Sequence, residues 1–344
     1  MGKHITIVGG GLAGLTLGIG LRQRSIPVTI LEAGHYPRHR VCGEFISGRG
    51  QETLARMGLL ELLMNAGGIP ARTAAFFSEG KASPVRELAL PAICLSREVM
   101  DALLAREFQR LGGDLREGER WRDVEFAEGV VRAGGRRLQT MEDGWRWFGL
   151  KAHARNVKLT ADLEMYVSAS GYVGICQLAG GEVNVCGLFR RSGESGNSDK
   201  WPEILRGATG SLRYQRLAQA KFDEASFCSV AGLSLRPRRA LTHKECCVGD
   251  ALTMIPPVTG NGMSMAFESA EVAVEPLADY GNGKAGWAET QQSIARRCDE
   301  LFARRLVWAG RLQRLMFAPG AQGVLVSLVP RWDWLWQLLF RKTR

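Results

Sequence analysis

The chain has 344 residues, 45% of them hydrophobic and 23% charged, an ordinary composition for one large or two smaller globular domains with an ample core. Its formal net charge of +10 suits an acidic partner or an anionic membrane surface, yet no nucleic-acid module accompanies it, and no apolar run reaches the roughly 18 residues that would span a bilayer. Eight cysteines (42, 94, 176, 186, 228, 246, 247, 298) include no C-x-x-C pair and no zinc spacing, so reduced thiols, no metal and a cytoplasmic location are expected, the first strand leaving no room for a leader segment.

The first element is a short apolar strand, Ile5-Thr6-Ile7-Val8, running into Gly9-Gly10-Gly11-Leu12-Ala13-Gly14, a G-x-G-x-x-G turn. In such a turn Gly9 reverses the chain tightly, Gly11 lets a pyrophosphate approach the backbone, and Gly14 lets the following helix pack on the strand. The helix begins at Leu12 and Ala13, where unpaired N–H groups face phosphates. A second strand over 27–31 ends at Glu32, 18 residues past the last glycine. A carboxylate there accepts from ribose hydroxyls, and an acid rather than an arginine favours the unphosphorylated ribose of FAD or NAD.

Residues 38–44 then crowd Arg38, His39, Arg40, Cys42 and Glu44 into one loop. The flanking cations predict a lowered pKa and a reactive thiol at Cys42; Glu44 and His39 are the nearest acid and base, and Arg40 suits a phosphate. A helix is expected over about 50–58, a strand region over 69–93, and a helix capped by Ser96 that ends at Gly112-Gly113. The glycine- and charge-rich 118–142 stretch reads as hairpin strands and is followed by Asp143-Gly144. His153 precedes a run of strand alternation over 157–191 that contains Tyr172, a substrate-side sheet, and a polar loop or lid follows at 190–200. Past a helical stretch at 201–220, the strand Cys246-Cys247-Val248 delivers Gly249-Asp250. Pro257, Gly260, Asn261 and Gly262 then form a second rigid turn before a helix that starts at Met263 and stops near Pro276.

These three separated signals (GGGLAG with Glu32, Asp143-Gly144, and Gly249-Asp250 with Pro257, Gly260 and Gly262) resemble the FAD-dependent oxidoreductases of the para-hydroxybenzoate hydroxylase and geranylgeranyl reductase superfamily. The resemblance implies that Asp250 holds the ribityl chain, that the amides near Asn261, Gly262 and Met263 line the flavin edge, and that Arg97 touches the pyrophosphate. The loop from Arg38 to Ser47 is most similar to the geranylgeranyl reductase group, which implies that Cys42 faces the isoalloxazine. That group's Tyr-x-Trp-x-Phe-Pro pattern is matched only at Tyr172, the residue left with His153 as a substrate contact.

The expected architecture is α/β: a Rossmann-like FAD-binding domain of the glutathione-reductase type (1–75, 94–155 and 240–285), an inserted antiparallel β-sheet substrate domain (76–93 and 156–239), and a C-terminal helical tail (286–344). The expected function is that of a FAD-dependent monooxygenase hydroxylating a hydrophobic aromatic or polyketide-like molecule, with NADH or NADPH as a transient reductant. Reduction of C=C bonds in a polyprenyl or lipid substrate stays open, as does a flavin-binding redox sensor without turnover. In the tail, Trp332, Trp334 and Trp336 run into Arg341-Lys342-Thr343-Arg344, and bases outnumber acids eight to one over 301–344. Indole rings with cationic tips suit peripheral membrane contact; a helix docked on the FAD domain is the alternative.

Overall fold

The computed structural model describes residues 2–78, 80–122, 126–136, 139, 141–192, 200–318, 321–328 and 332. In chain order the strands are β1 (Ile5–Val8), β2 (Val28–Glu32), β3 (Phe45–Ile46), β4 (Ile69–Ser78), β5 (Lys81–Ala82), β6 (Arg86–Cys94), β7 (Asp114–Glu117) and β8 (Val130–Arg132). They continue as β9 (Arg146–Arg155), β10 (Leu163–Ser168), β11 (Gly171–Gln177), β12 (Val183–Arg191), β13 (Lys221–Phe222), β14 (Cys228–Ala231) and β15 (Cys246–Cys247). The helices are α1 (Leu12–Arg22), α2 (Arg49–Arg56), α3 (Leu60–Asn65), α4 (Arg97–Arg110), α5 (Trp201–Arg206), α6 (Leu212–Leu217), α7 (Gly262–Gly281), α8 (Trp287–Met316) and α9 (Ala321–Leu328).

Strands β15-β8-β1-β2-β7 form a sheet in which every pair is parallel, with β1 at its centre. A parallel sheet needs helices on both faces, which explains why α1 is buried along its whole length from Leu12 to Leu21. Ile5, Ile7, Leu15, Ile19, Ile30, Phe108 and Phe267 close this core with no exposure to solvent. The second sheet runs β13-β9-β12-β11-β10-β4-β6-β3, with β14 also on β9 and β5 on β4. It is mixed rather than purely antiparallel, because β10 pairs with β4 in parallel.

Sheet membership moves the expected domain boundaries. Strand β9 and the start of β4, assigned from sequence to the FAD-binding part, are members of the large sheet, where β9 pairs with β12, β13 and β14. The 118–142 stretch supplies no hairpin among its described residues. Its Val130-Val131 instead enters the parallel sheet beside β1, a three-residue buried strand too short to show periodicity. Helix α7 does not stop at Pro276 but carries it inside and continues to Gly281, because Ala273, Val274, Leu277 and Ala278 around it are all packed in the core. Tertiary packing outweighs the lost N–H. Ser96 caps α4 as expected, its side chain accepting from the Val99 N–H. The C-terminal segment is helical through α8 and α9, with α8 tied to α7 by a buried Arg305–Glu268 pair at 2.6 and 2.9 Å. Within the described residues no helix is long and apolar enough to cross a membrane. The tail tryptophans 334 and 336 lie outside the described residues, as do 193–199 of the expected lid; Trp332 is 56% exposed.

Candidate flavin site

The dinucleotide turn has the geometry its glycines predict. Gly9 sits at φ +112°, and a Cβ there would lie 2.5 Å from the Ala133 carbonyl oxygen; one at Gly14 would run into the Gly9 carbonyl. Gly11 differs, because a Cβ built there meets no protein atom within 4 Å, so its face is left open to a ligand. It is the N-cap of α1 and offers no side chain to the first turn, whose N–H groups, Leu12 and Ala13 among them, have no partner within the helix.

Glu32 is fixed beside this turn. Its carboxylate accepts from the Gly10 and Gly34 N–H groups, each at 2.8 Å, and from Arg38 at 2.6 Å. Burial opposes its charge, but the Arg38 bond and the two N–H groups prevail and lower its pKa to about 2. An ionised carboxylate has room for about four hydrogen bonds, so one position remains for a ribose hydroxyl. Arg40 lies 3.9 Å from Glu32, half exposed at the mouth.

The second motif meets the first. Gly249 at φ +63° packs on the start of α1, its N–H held by the Ser269 hydroxyl at 2.9 Å. Asp250 makes no hydrogen bond among the described residues. Burial raises its carboxyl, with Arg136 and Arg97 pulling it back down. Pro257 opens a single turn that ends at Gly260 in the left-handed conformation, φ +65°, over the Phe45 ring. Asn261 then caps α7 without a side-chain bond to the helix, and Gly262 and Met263 begin it. A Cβ at Gly262 also meets nothing within 4 Å. Two helix N-termini, two open glycines and a carboxylate with no hydrogen bond among the described residues therefore share one groove, a cradle whose chemistry fits a dinucleotide diphosphate and a polyhydroxyl chain.

Asp143-Gly144 is the tip of a tight turn between Glu142 and Trp145, the Asp143 side chain 73% exposed and paired with Arg236. The loop that presses on the dinucleotide turn is Ala133-Gly134-Gly135-Arg136, after β8, with the Ala133 N–H bonded to the Val8 carbonyl at 2.8 Å. Arg136 was missed by sequence reasoning, although its place one loop after a strand was available as a signal. It lines an open cleft of about 230 Å3 with Asp250, Met254 and Ser234. The lowered pKa expected for Cys42 is reversed in the structure. Burial raises its pKa, and the Arg97 guanidinium beside it does not reverse the shift.

The remaining candidates converge. Arg97 gives two hydrogen bonds to the buried Asp101, at 2.7 and 2.8 Å, and its charge acts on both the Cys42 thiol and the Asp250 carboxyl. Glu44 and Lys151 are both fully buried. The Glu44 carboxylate accepts from the Arg97 N–H at 2.9 Å and from His153 at 2.7 Å, with the Lys151 ammonium at 3.4 Å. Lys151 in turn lies 3.1 Å from His39, whose other ring nitrogen is 3.3 Å from Glu98 at the surface. His153 is thus a partner of Glu44 at the sheet rather than a group facing open space. His39, Glu44 and His153 bring three ligand atoms within 4.8 Å of one another. The Lys151 ammonium already occupies the cation's position among them, so the cluster reads as a charge network, not a metal centre.

Tyr172 lies further along the same face of the large sheet, 5% exposed, with a hydroxyl that has no hydrogen-bond partner among the described residues. Trp147, Leu188, Leu235, Val258 and Phe317 surround it. Val258 belongs to the turn at 257–259, so this apolar wall borders the second glycine turn.

A Rossmann-type dinucleotide cradle joined to a large mixed sheet is the fold of several solved flavin-dependent enzymes. Residues 3–144 match the FAD binding domain family. The flavin-dependent brominase Bmp2 superposes with a TM-score of 0.79 at 17% identity, over 99% of this chain and 93% of that one. The p-nitrophenol 4-monooxygenase from Pseudomonas putida does so with a TM-score of 0.73 at 15% identity, over 99% and 98%. Conditioned medium factor receptor 1 of Dictyostelium discoideum is 22% identical over 324 residues, 78% of this chain. The chain spans 62% of the length of that curated relative.

Proposed function

We propose that the protein is a FAD-dependent monooxygenase acting on a hydrophobic aromatic small molecule, with NADH or NADPH as a transient electron donor. The observation that carries the reading is the Tyr172 hydroxyl, buried and unpaired in an apolar wall that borders the flavin-side turn. A buried hydroxyl without a partner costs about 1–3 kcal/mol, a cost that a bound substrate oxygen relieves. When bound, FAD supplies the redox chemistry, accepting hydride and activating dioxygen. The chain's own residues hold and orient: the α1 and α7 N-termini take the phosphates and the flavin edge, Asp250 takes a ribityl hydroxyl, and Glu32 the adenosine ribose. Trp147, Leu188 and Phe317 exclude water and stack an aromatic ring, while Tyr172 donates to its oxygen and sets its orientation. The three-cation cluster of Arg38, Arg40 and Arg97 beside the groove suits an incoming anionic donor nucleotide as well as the FAD diphosphate. Peripheral contact of the tail with an anionic membrane, exposed Trp332 included, would bring apolar substrate to this wall.

The test is oxygen-isotope labelling. With a panel of phenols, NAD(P)H and 18O2, the reading expects one labelled oxygen in the product and no product without dioxygen. Reduction of an alkene in a polyprenyl substrate under anaerobic conditions would replace hydroxylation with the reductase alternative. Flavin reduction with neither product would leave the redox sensor.

A further inference from the structure

The loop Cys42-Gly43-Glu44 is held by an unusual number of polar contacts. Glu44 sits at φ +56°, a left-handed conformation that a residue with a Cβ adopts only when its surroundings impose it. The Asn184 side-chain amide donates to the Cys42 carbonyl at 2.9 Å, and the Cys176 thiol to the Gly43 carbonyl at 3.2 Å. The Leu95 N–H reaches the Glu44 carbonyl at 3.1 Å, and the Glu44 N–H reaches the Cys42 sulfur at 3.4 Å. The Glu44 carboxylate then spans the two halves of the molecule. It takes one hydrogen bond from the N-terminus of α4, in the FAD-binding half, and faces Lys151 and His153 of β9, in the large sheet.

We propose that Lys151 and His153 are positioning residues: by pairing with Glu44 they lock the Cys42–Gly43 loop, and with it the Cys42 side chain, against the wall of the flavin groove. The strained backbone at Glu44 is the cost of that lock. Lys151, with no exposure to solvent, has Glu44 as its carboxylate partner at 3.4 Å, and removing either member of a buried pair strands the other. Other charged groups around the pair are His39 with Glu98, Glu182 at 3.7 Å from His153, and Arg97 beside Cys42. The Asn184 side-chain oxygen is buried with no hydrogen-bond partner among the described residues while its amide nitrogen holds Cys42, so this side of the loop has capacity for one more donor from a ligand or water. The link to catalysis rests on the flavin reading above, but the lock itself is a property of the protein without cofactor.

The experiment measures alkylation of Cys42 by iodoacetamide, read by mass spectrometry of its peptide, in cofactor-free and FAD-loaded protein, with circular dichroism confirming the fold. Lys151→Met leaves the Glu44 charge short of a partner and is expected to speed Cys42 alkylation at least tenfold in the cofactor-free protein. The double variant Lys151→Met with Glu44→Gln removes both charges and is expected to return the rate to within about threefold of the parent. A merely space-filling lysine predicts the opposite order, with the double variant at least as fast as the single. Should Lys151→Met not fold, His153→Leu and His153→Gln give the same comparison, since glutamine keeps a donor for Glu44 and leucine does not. A Lys151→Met rate within twofold of the parent, a double variant no slower than the single, or equal rates for the two His153 variants overturns the proposal. Failure of the parent to take up FAD with the rates as expected would sink the flavin reading and leave the lock standing.

Discussion

A Cβ placed on Gly249 would lie 2.8 Å from the Cβ of Ala13, so the second glycine motif rests directly on the first turn of α1. That contact brings Asp250 close to the first turn of α1, although the two motifs stand far apart in the chain. The groove is built by this meeting, and its parts can be tested separately.

Gly11→Val tests the diphosphate seat. Because a Cβ at Gly11 meets no protein atom within 4 Å, the substitution is expected to leave the melting temperature of cofactor-free protein within a few degrees of the parent. FAD binding should fall at least a hundredfold, since the branched side chain fills the space of the pyrophosphate. Gly14→Val should instead lower stability itself, because its side chain would meet the Gly9 carbonyl. Retention of tight FAD binding by Gly11→Val contradicts the placement.

Tyr172→Phe carries an expected sign that is unusual for a core substitution. The hydroxyl has no partner, so its removal is expected to leave stability unchanged or raise it by about 1 kcal/mol, read by denaturant titration. Substrate KM should rise roughly tenfold, the loss of about one hydrogen bond. A destabilised Tyr172→Phe with unchanged KM would make the hydroxyl structural.

Much of this was legible in the sequence. The GGGLAG turn, Glu32 and Gly249-Asp250 are contiguous patterns whose meaning is local, and each stands where its spacing implied. Asp143-Gly144 forms a tight turn with positive φ at both residues, a conformation this dipeptide readily adopts. The Glu44 network was not legible. His153 and Lys151 share one face of β9 only because of strand periodicity, and their meeting with Glu44 depends on how β9 packs on the 42–44 loop. The direction of the Cys42 shift was misjudged for a related reason: neighbouring cations in sequence were counted, while burial, which the sequence does not display, decided it.

Acid should weaken the fold in two stages. Burial and the adjacent Lys151 lower the pKa of His39, so the unfolded chain binds a proton there first and stability declines as pH falls below about 6.5. Glu32, lowered to about 2, and Glu44, also lowered, stabilise the folded state above the ordinary carboxylate range. That contribution is lost as pH falls from about 4.5 toward 2. Chemical denaturation across pH 2–8 checks both stages. His39→Gln should flatten the upper one, and a parent stability that is constant from pH 7 to 5 would contradict it.

The central claim, that this groove holds a flavin between the two glycine turns, is tested most directly by titrating cofactor-free protein with FAD. The account predicts saturation at one FAD per chain and release of all of it as free flavin on denaturation. It also predicts a dissociation constant raised at least tenfold in Asp250→Ala, whose carboxylate has no hydrogen bond among the described residues, and unchanged in Glu245→Ala, whose carboxylate pairs with Arg132 at 3.0 Å. No saturable binding, or equal losses in the two variants, would contradict it.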